Sequence, residues 1–196
     1  IRARMALSYC EVEVELREIS LKDRPQSLYK ISKKGTVPVM LTKDNIVIDE
    51  SLDIMIWALE RNHNQTWLNK DNKEMSLINL NDTEFKKYLD RYKYHDRHPQ
   101  NSKESYRNKC NTILEEYEKT LIKSQYLIND NINIADISIF PFVRQFANVD
   151  YTWFENNYAY LSIWLKNISS SEIFTSVMKK YDTWDKNKES KIINFR

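Results

Sequence analysis

The spacing of the apolar residues changes about a third of the way along the chain, and this change limits the folds available to it. Residues 11–17 alternate polar and apolar side chains as a half-buried strand does, and residues 37–48 contain two short apolar runs around a turn sequence typical of a hairpin. Later, apolar residues within 102–122 recur every three or four positions, which predicts a long amphipathic helix. The sequence therefore predicts an α/β domain over 1–62 and an all-helical domain over 66–196.

Two helices complete the predicted α/β domain. Pro25 favours the first turn of a short helix because its fixed φ suits that position, and the chain's single glycine, Gly35, is placed to end that helix in a left-handed cap. A second helix is predicted over about 50–61, where apolar residues recur on one face, namely Leu52, Met55, Ile56 and Leu59. The polar residues 62–65 mark the end of this helix and the domain boundary.

Composition and charge argue against several classes of function. Thirty basic and twenty-eight acidic residues leave a formal charge of +2, which is far from the concentrated positive charge of a nucleic-acid-binding surface. No apolar run approaches the ~20 residues that span a bilayer, and residues 1–7 lack the apolar stretch of a signal peptide, so we expect a cytoplasmic protein without a membrane partner. Cys10 and Cys110 match no disulfide or zinc spacing, which predicts two buried thiols.

Two further groups of side chains allow more than one interpretation. His95, Asp96 and His98 are possible metal ligands, but Pro99 ends the helix there and no fourth ligand is apparent, so we expect surface polar residues and no metal. Four aromatic residues either line an apolar substrate cleft or belong to the core, namely Trp153, Phe154, Trp164 and Trp184.

Three motifs in this order of elements resemble the glutathione transferase superfamily. They are Thr36-Val37-Pro38-Val39 before the hairpin, Asp49-Glu50-Ser51 at a helix start, and the helix-capping segment Asn133-Ile134-Ala135-Asp136, in which Asn133 replaces the usual serine or threonine. The resemblance covers essentially the whole chain. It implies a thioredoxin-like glutathione-binding domain over 1–62 followed by an all-helical domain over 66–196.

A narrower resemblance concerns the opening of the chain and two internal segments. Residues 49–55 and 85–94 resemble an uncharacterised bacterial branch of the superfamily, and residues 1–7 are similar to the remainder of the first helix in the cysteine-type, omega-like branches. By this resemblance the first strand and the catalytic residue are expected immediately upstream of Ile1, so we assign no catalytic residue within the sequence. A cysteine is favoured there over the tyrosine or serine of other branches.

The resemblance also implies a set of glutathione-binding residues. The Val37 backbone would pair with the cysteinyl unit as an added strand, with a cis bond at Pro38 in place of an ordinary trans proline. Ser51 and the amide beside it would receive the γ-glutamyl carboxylate at a helix N-terminus, and Glu50 would meet the ammonium group; simple helix capping is the alternative. Arg24 is a cation for the glycyl carboxylate or a solvated loop charge.

Two functions follow from these expectations. The first is a glutathione-dependent enzyme, with glutathione as its co-substrate, that either transfers the thiolate to a small electrophile or reduces a glutathione mixed disulfide. The alternative is a non-catalytic module that keeps the same architecture to bind or regulate other proteins. The resemblance further implies a homodimer in which the helix containing Leu52 and Leu59 of one chain packs on the long helices of the other.

Overall fold

The computed structural model describes residues 1–69, 72–189 and 191–196, and those residues form helices with a few short strands. A π-helical turn, Asn81–Phe85, joins two of the helices, and a short 3-10 helix spans His95–Arg97. The α-helices of the described residues are α1 (Arg2–Tyr9), α2 (Gln26–Ile31), α3 (Ser51–Arg61), α4 (Asn72–Leu80), α5 (Lys86–Lys93), α6 (Lys103–Leu121), α7 (Ile134–Ala147), α8 (Tyr151–Asn157), α9 (Ala159–Ser169) and α10 (Glu172–Val177). The strands are β1 (Val14–Glu15), β2 (Met40–Leu41), β3 (Val47–Ile48) and β4 (Ile192–Ile193).

The described residues divide into two compact units. The first contains residues 1–65 together with 171–196, and the second contains residues 66–170. The sequence analysis assigns 171–196 to the helical domain, whereas the structure groups this segment with the first 65 residues. The reason lies in its contacts, because α10 packs on α1 and the segment then returns alongside β1.

The returning segment is fixed to the first unit by backbone pairing and by one buried ring. β4 pairs antiparallel with β1, and the Leu16 N–H donates to the Lys191 carbonyl at 3.0 Å. Phe195 is buried, its carbonyl accepts from Ser8 Oγ at 3.1 Å, and the Arg4 guanidinium lies 5.3 Å from its ring centroid. These contacts tie the segment to α1 as well as to β1.

The predicted strand over 11–17 is much shorter than expected. Its alternation is confirmed, since Val12, Val14 and Leu16 are half-buried while the residues between them are exposed. Ladder pairing, however, is confined to β1 and its two partners in β4. Side-chain alternation requires an extended backbone, but a ladder also requires a partner, and the partner is short.

The predicted hairpin and the helix after it are confirmed. β2 and β3 pair antiparallel, with Met40 opposite Ile48, and the turn contains Asn45 in the left-handed region at φ 61°. In α3 the buried face consists of Ile54, Met55, Ala58 and Leu59, which pack against the buried face of α1. Leu52 and Ile56, predicted on this face, lie at its margin and are half-buried.

The second unit is a helical bundle around a long amphipathic helix. Ser102 caps α6, and the predicted apolar stripe is buried throughout, namely Tyr106, Cys110, Ile113, Leu114, Tyr117 and Leu121. Phe154 and Trp164 are also buried, so for these two aromatic residues the core interpretation is the correct one. Pro141 lies inside α7.

Asp136 joins three parts of the helical unit. The predicted cap is confirmed as a reciprocal capping box, in which Asn133 Oδ1 accepts from the Ala135 N–H at 2.9 Å and Asp136 Oδ2 accepts from the Asn133 N–H at 3.1 Å. Asp136 Oδ1 also accepts from the Leu127 N–H and from Trp164 Nε1, both at 2.9 Å. The buried carboxylate therefore connects the loop before α7, the start of α7 and the side of α9.

Glu118 provides a second connection between helices. Its Oε1 accepts from the Tyr160 N–H at 2.9 Å and its Oε2 accepts from the Leu161 N–H at 2.7 Å. Both amides belong to the first turn of α9, where N–H groups have no partner within the helix. A side chain of α6 thus caps α9.

No helix in the described part of the chain combines the length and the apolar composition required to cross a bilayer.

Candidate functional site

The segment that precedes β2 presents an unpaired stretch of backbone. The Val37–Pro38 peptide bond is cis, and Val37 is 46% exposed. Within residues 1–69, 72–189 and 191–196, no hydrogen bond forms to the backbone N–H or C=O of Val37. Both groups are therefore available to pair with an extended peptide, as in the addition of a strand.

The turn before Val37 explains the position of the only glycine in the sequence. Gly35 adopts φ +60°, and a Cβ atom at this position would overlap the ring of Tyr29. The expectation that Gly35 caps α2 is wrong, because α2 ends at Ile31 and Ser32 is its extended C-cap. Gly35 instead closes a turn in which its N–H donates to the Ser32 carbonyl at 3.1 Å.

A hydrogen bond connects this turn to the start of α3. The Ser32 hydroxyl is buried and donates to Asp49 Oδ2 at 3.0 Å. Glu50 is the N-cap residue of α3, and its carbonyl accepts from the Ile54 N–H at 3.1 Å. The loop that leads to Val37 and the residues that open α3 are thus held side by side.

The side chains at the start of α3 do not act as simple caps. In the described structure Glu50 makes no side-chain hydrogen bond to the first turn of α3, and Asp49 is bound to Ser32 instead. Ser51, the first helical residue, is half-buried. The first turn of this eleven-residue helix therefore has no cap from the Glu50 side chain, and free N–H groups at the positive end of a helix dipole favour an anion.

The partner of Glu50 is a residue that the sequence analysis missed. Lys34 Nζ lies 2.7 Å from Glu50 Oε1 and 3.5 Å from Asp49 Oδ1. The hydrogen bond to Glu50 raises the pKa of Lys34. In the sequence, Lys34 stands next to the only glycine, which indicates that it lies in a turn. The sequence does not indicate that this turn lies close to the start of α3.

Arg24 is less closely connected to these residues. It is exposed, between the turn closed by the Ser20–Asp23 bridge and Pro25, which is the N-cap of α2. Within the described residues, no hydrogen bond or ion pair links Arg24 to Val37 or to the start of α3.

The two cysteines are poorly suited to act as nucleophiles. Cys110 is fully buried as predicted, and desolvation raises the pKa of its thiol to about 12. Cys10, predicted to be buried, is half-buried, because it is the C-cap residue of α1 and no longer lies on its packed face. Burial raises the pKa of the Cys10 thiol, and a hydrogen bond with Asn62 partly opposes this effect.

The histidines predicted to be surface residues form pairs with single carboxylates. His95 Nε2 lies 3.1 Å from Asp96 Oδ1, and His98 Nε2 lies 3.7 Å from Asp90 Oδ2. Across the described ranges, no group of three or more histidine, cysteine or acidic side chains is arranged to hold a metal ion.

Comparison with known proteins gives matches to two family models and to solved structures. The N-terminal domain of glutathione S-transferase matches residues 1–61, and the C-terminal domain of glutathione S-transferase matches residues 80–172. No curated protein sequence matches the chain significantly.

Three similar structures come from different organisms. A glutathione transferase of Phanerochaete chrysosporium, solved with oxidized glutathione, has a TM-score of 0.78 at 16% identity, covering 89% of this chain and 87% of that one. A Gtt2-class glutathione S-transferase of Vibrio parahaemolyticus has a TM-score of 0.71 at 19% identity, covering 89% and 90%. Gtt2 of Saccharomyces cerevisiae has a TM-score of 0.68 at 19% identity, covering 89% and 92%.

The two family models together account for most of the chain, and the similar structures have the same fold. A thioredoxin-like N-terminal domain and a helical C-terminal domain are the fold that the sequence predicted. The chain belongs to the glutathione transferase superfamily.

Proposed function

We propose that the chain binds glutathione in its first unit and uses it as a co-substrate. One observation carries this proposal: the backbone of Val37, an exposed residue, has no hydrogen-bond partner among the described residues, and the turn before it is hydrogen-bonded to the residues that open α3. An extended peptide bound along Val37 would lie beside the turn that Ser32 joins to Asp49, just before α3. Glutathione is such a peptide, with a carboxylate at each end and one ammonium group.

Each polar group of glutathione has a candidate receptor. The γ-glutamyl carboxylate would bind at Ser51 and the adjacent N–H groups, where the helix dipole favours negative charge. Its ammonium group would bind the Glu50 carboxylate, and the glycyl carboxylate would bind Arg24. The cysteinyl unit would pair with the Val37 backbone next to the cis bond at Pro38.

The proposed reaction is a transfer of the glutathione thiolate. Superfamily membership supports glutathione-dependent transferase activity in general. We propose that the thiolate is either added to a small electrophile or exchanged with a glutathione mixed disulfide. Two similar structures show ligands of this chemistry in other proteins, namely oxidized glutathione and 1-(S-glutathionyl)-2,4-dinitrobenzene.

Calorimetric titration of glutathione tests the binding proposal. The double variant Glu50→Ala/Ser51→Ala removes one charged and one polar contact, so we expect its affinity to fall at least about tenfold, because hydrogen bonds to charged groups contribute ~1.5–3 kcal/mol. The control Asp44→Ala removes an exposed carboxylate from the β2–β3 turn and should bind as the unsubstituted chain does. Equal weak binding by all three proteins would refute the enzyme proposal and favour the non-catalytic module.

Two activity assays distinguish the reactions. Turnover of a mixed disulfide with glutathione, without conjugation of an electrophile, would establish the reductase. Conjugation without reductase turnover would establish the transferase and exclude a cysteine mechanism.

We also propose a homodimer in the cytoplasm. In this dimer α3 of one chain packs against the long helices of the other, so that the same surface is used twice. Sedimentation of a single monomeric species at micromolar concentration would refute the dimer.

A further inference from the structure

Lys34 is paired with the Glu50 carboxylate, the group that we propose binds the ammonium group of glutathione. Its Nζ lies 2.7 Å from Glu50 Oε1, a hydrogen-bond distance for a charged pair. We propose that Lys34 is an internal competitor, whose ammonium group must leave Glu50 before the γ-glutamyl ammonium of glutathione binds there. This inference rests on the proposed function and assigns Lys34 a role in selecting the ligand.

The two competing groups are chemically alike. The side chain of lysine ends in a compact primary ammonium with three donors, and the γ-glutamyl end of glutathione carries the same group. Lys34 Nζ lies 2.7 Å from Glu50 Oε1, so a ligand ammonium group that binds this oxygen from the same side takes the place of the Lys34 ammonium group. Binding therefore exchanges one ion pair for another of the same kind.

The backbone holds Lys34 where it can compete. The turn closed by the Gly35 N–H and the Ser32 carbonyl precedes Val37, and the hydrogen bond from Ser32 to Asp49 holds this turn against the start of α3. Asp49 Oδ1, at 3.5 Å from Lys34 Nζ, adds a second carboxylate on the same side. Lys34 is therefore directed toward Glu50 by local structure.

Because Lys34 and Glu50 are exposed, glutathione can replace Lys34 at Glu50, and the effect of Lys34 on glutathione affinity should be small. The side chains of Lys34 and Glu50 are 53% and 59% exposed, and solvent screens such pairs strongly. Removal of the competitor should therefore strengthen glutathione binding about two- to fivefold, the range expected from an exposed ion pair. A ligand that lacks the ammonium group leaves the Lys34–Glu50 pair intact and should gain nothing.

A matched pair of variants and a matched pair of ligands test the proposal. Lys34→Met removes the competitor, and Lys33→Met removes the same charge from an exposed neighbour, which controls for the general attraction of anions. Each variant of the full chain is titrated calorimetrically with glutathione and with its desamino analogue, in which hydrogen replaces the γ-glutamyl amino group. Circular dichroism before each titration verifies that the variants fold.

The expected result is specific to the ammonium ligand. Relative to Lys33→Met, the Lys34→Met variant should bind glutathione about two- to fivefold more tightly and the desamino analogue equally. Lys34→Arg, which keeps a cation, should bind glutathione as the unsubstituted chain does.

Other outcomes overturn the inference in distinguishable ways. Equal glutathione affinity of the two methionine variants would show that Lys34 does not compete, while glutathione binding itself would stand. Weaker glutathione binding by Lys34→Met than by Lys33→Met would make Lys34 a ligand contact instead of a competitor. Absence of glutathione binding by every protein, the unsubstituted chain included, would overturn both this inference and the proposed function.

Discussion

Replacement of Asp136 by asparagine should destabilise the helical unit by about 1–3 kcal/mol. The carboxylate is fully buried and accepts from three N–H groups, those of Leu127, Asn133 and Trp164. An asparagine of the same shape has only one acceptor oxygen, so at least one of these buried N–H groups would face an amide NH₂ and lose its partner. An unsatisfied buried donor costs ~1–3 kcal/mol.

The effect should also depend on pH, in a direction that follows from the pKa of Asp136. Burial is the largest influence and raises this pKa to about 6 from the ordinary value of 3.8. Since the folded chain holds the proton more tightly than the unfolded chain, the associated stabilisation is complete below pH ~4 and is lost as pH rises through ~6.

Urea unfolding followed by circular dichroism measures both quantities. The free energy of unfolding of the unsubstituted chain and of Asp136→Asn is compared at intervals from pH 4 to pH 7. We expect the advantage of the unsubstituted chain to shrink as pH rises, because the variant lacks the titrating group. Parallel pH profiles, or a destabilisation below ~0.5 kcal/mol at every pH, would refute the reasoning.

Three other changes have expected outcomes. Glu118→Ala should lower the free energy of unfolding by ~1–2 kcal/mol because it removes the cap of α9, and an equal loss in the exposed control Glu115→Ala would contradict this. Gly35→Ala should lower the free energy of unfolding by ~1–3 kcal/mol in the same assay, because Gly35 has a positive φ and the added Cβ would overlap the ring of Tyr29. An unchanged free energy of unfolding would contradict the left-handed conformation of Gly35. With iodoacetamide at pH 8, mass spectrometry should detect alkylation of half-buried Cys10 and protection of buried Cys110, and the reverse order would be inconsistent with their burial.

Local patterns predicted the parts of the fold that local forces determine. The prediction of the buried apolar face of α6 was correct because the spacing of apolar residues fixes which face of a helix is buried. The cap formed by Asn133 and Asp136 was correct because both partners lie within one helical turn. The hairpin was correct because its two runs are separated only by a short turn.

Contacts between distant residues were not predictable in the same way. β4 contains two residues and carries no strand signal of its own, so its pairing with β1 could not be read from either segment. The same applies to Lys34, whose partner Glu50 lies sixteen residues away. In the candidate site, the sequence could therefore name Val37, Glu50 and Ser51 by resemblance but could not identify the group that holds Glu50.

The central claim, that a peptide pairs with the backbone of Val37, is tested most directly by the hydrogen exchange of one amide. The exchange rate of the Val37 N–H is measured by nuclear magnetic resonance with and without saturating glutathione. Because this N–H has no hydrogen-bond partner in the described structure and Val37 is 46% exposed, it should exchange rapidly alone and at least about tenfold more slowly once paired to the ligand. Unchanged rapid exchange at Val37, while calorimetry shows that glutathione is bound, would contradict the account.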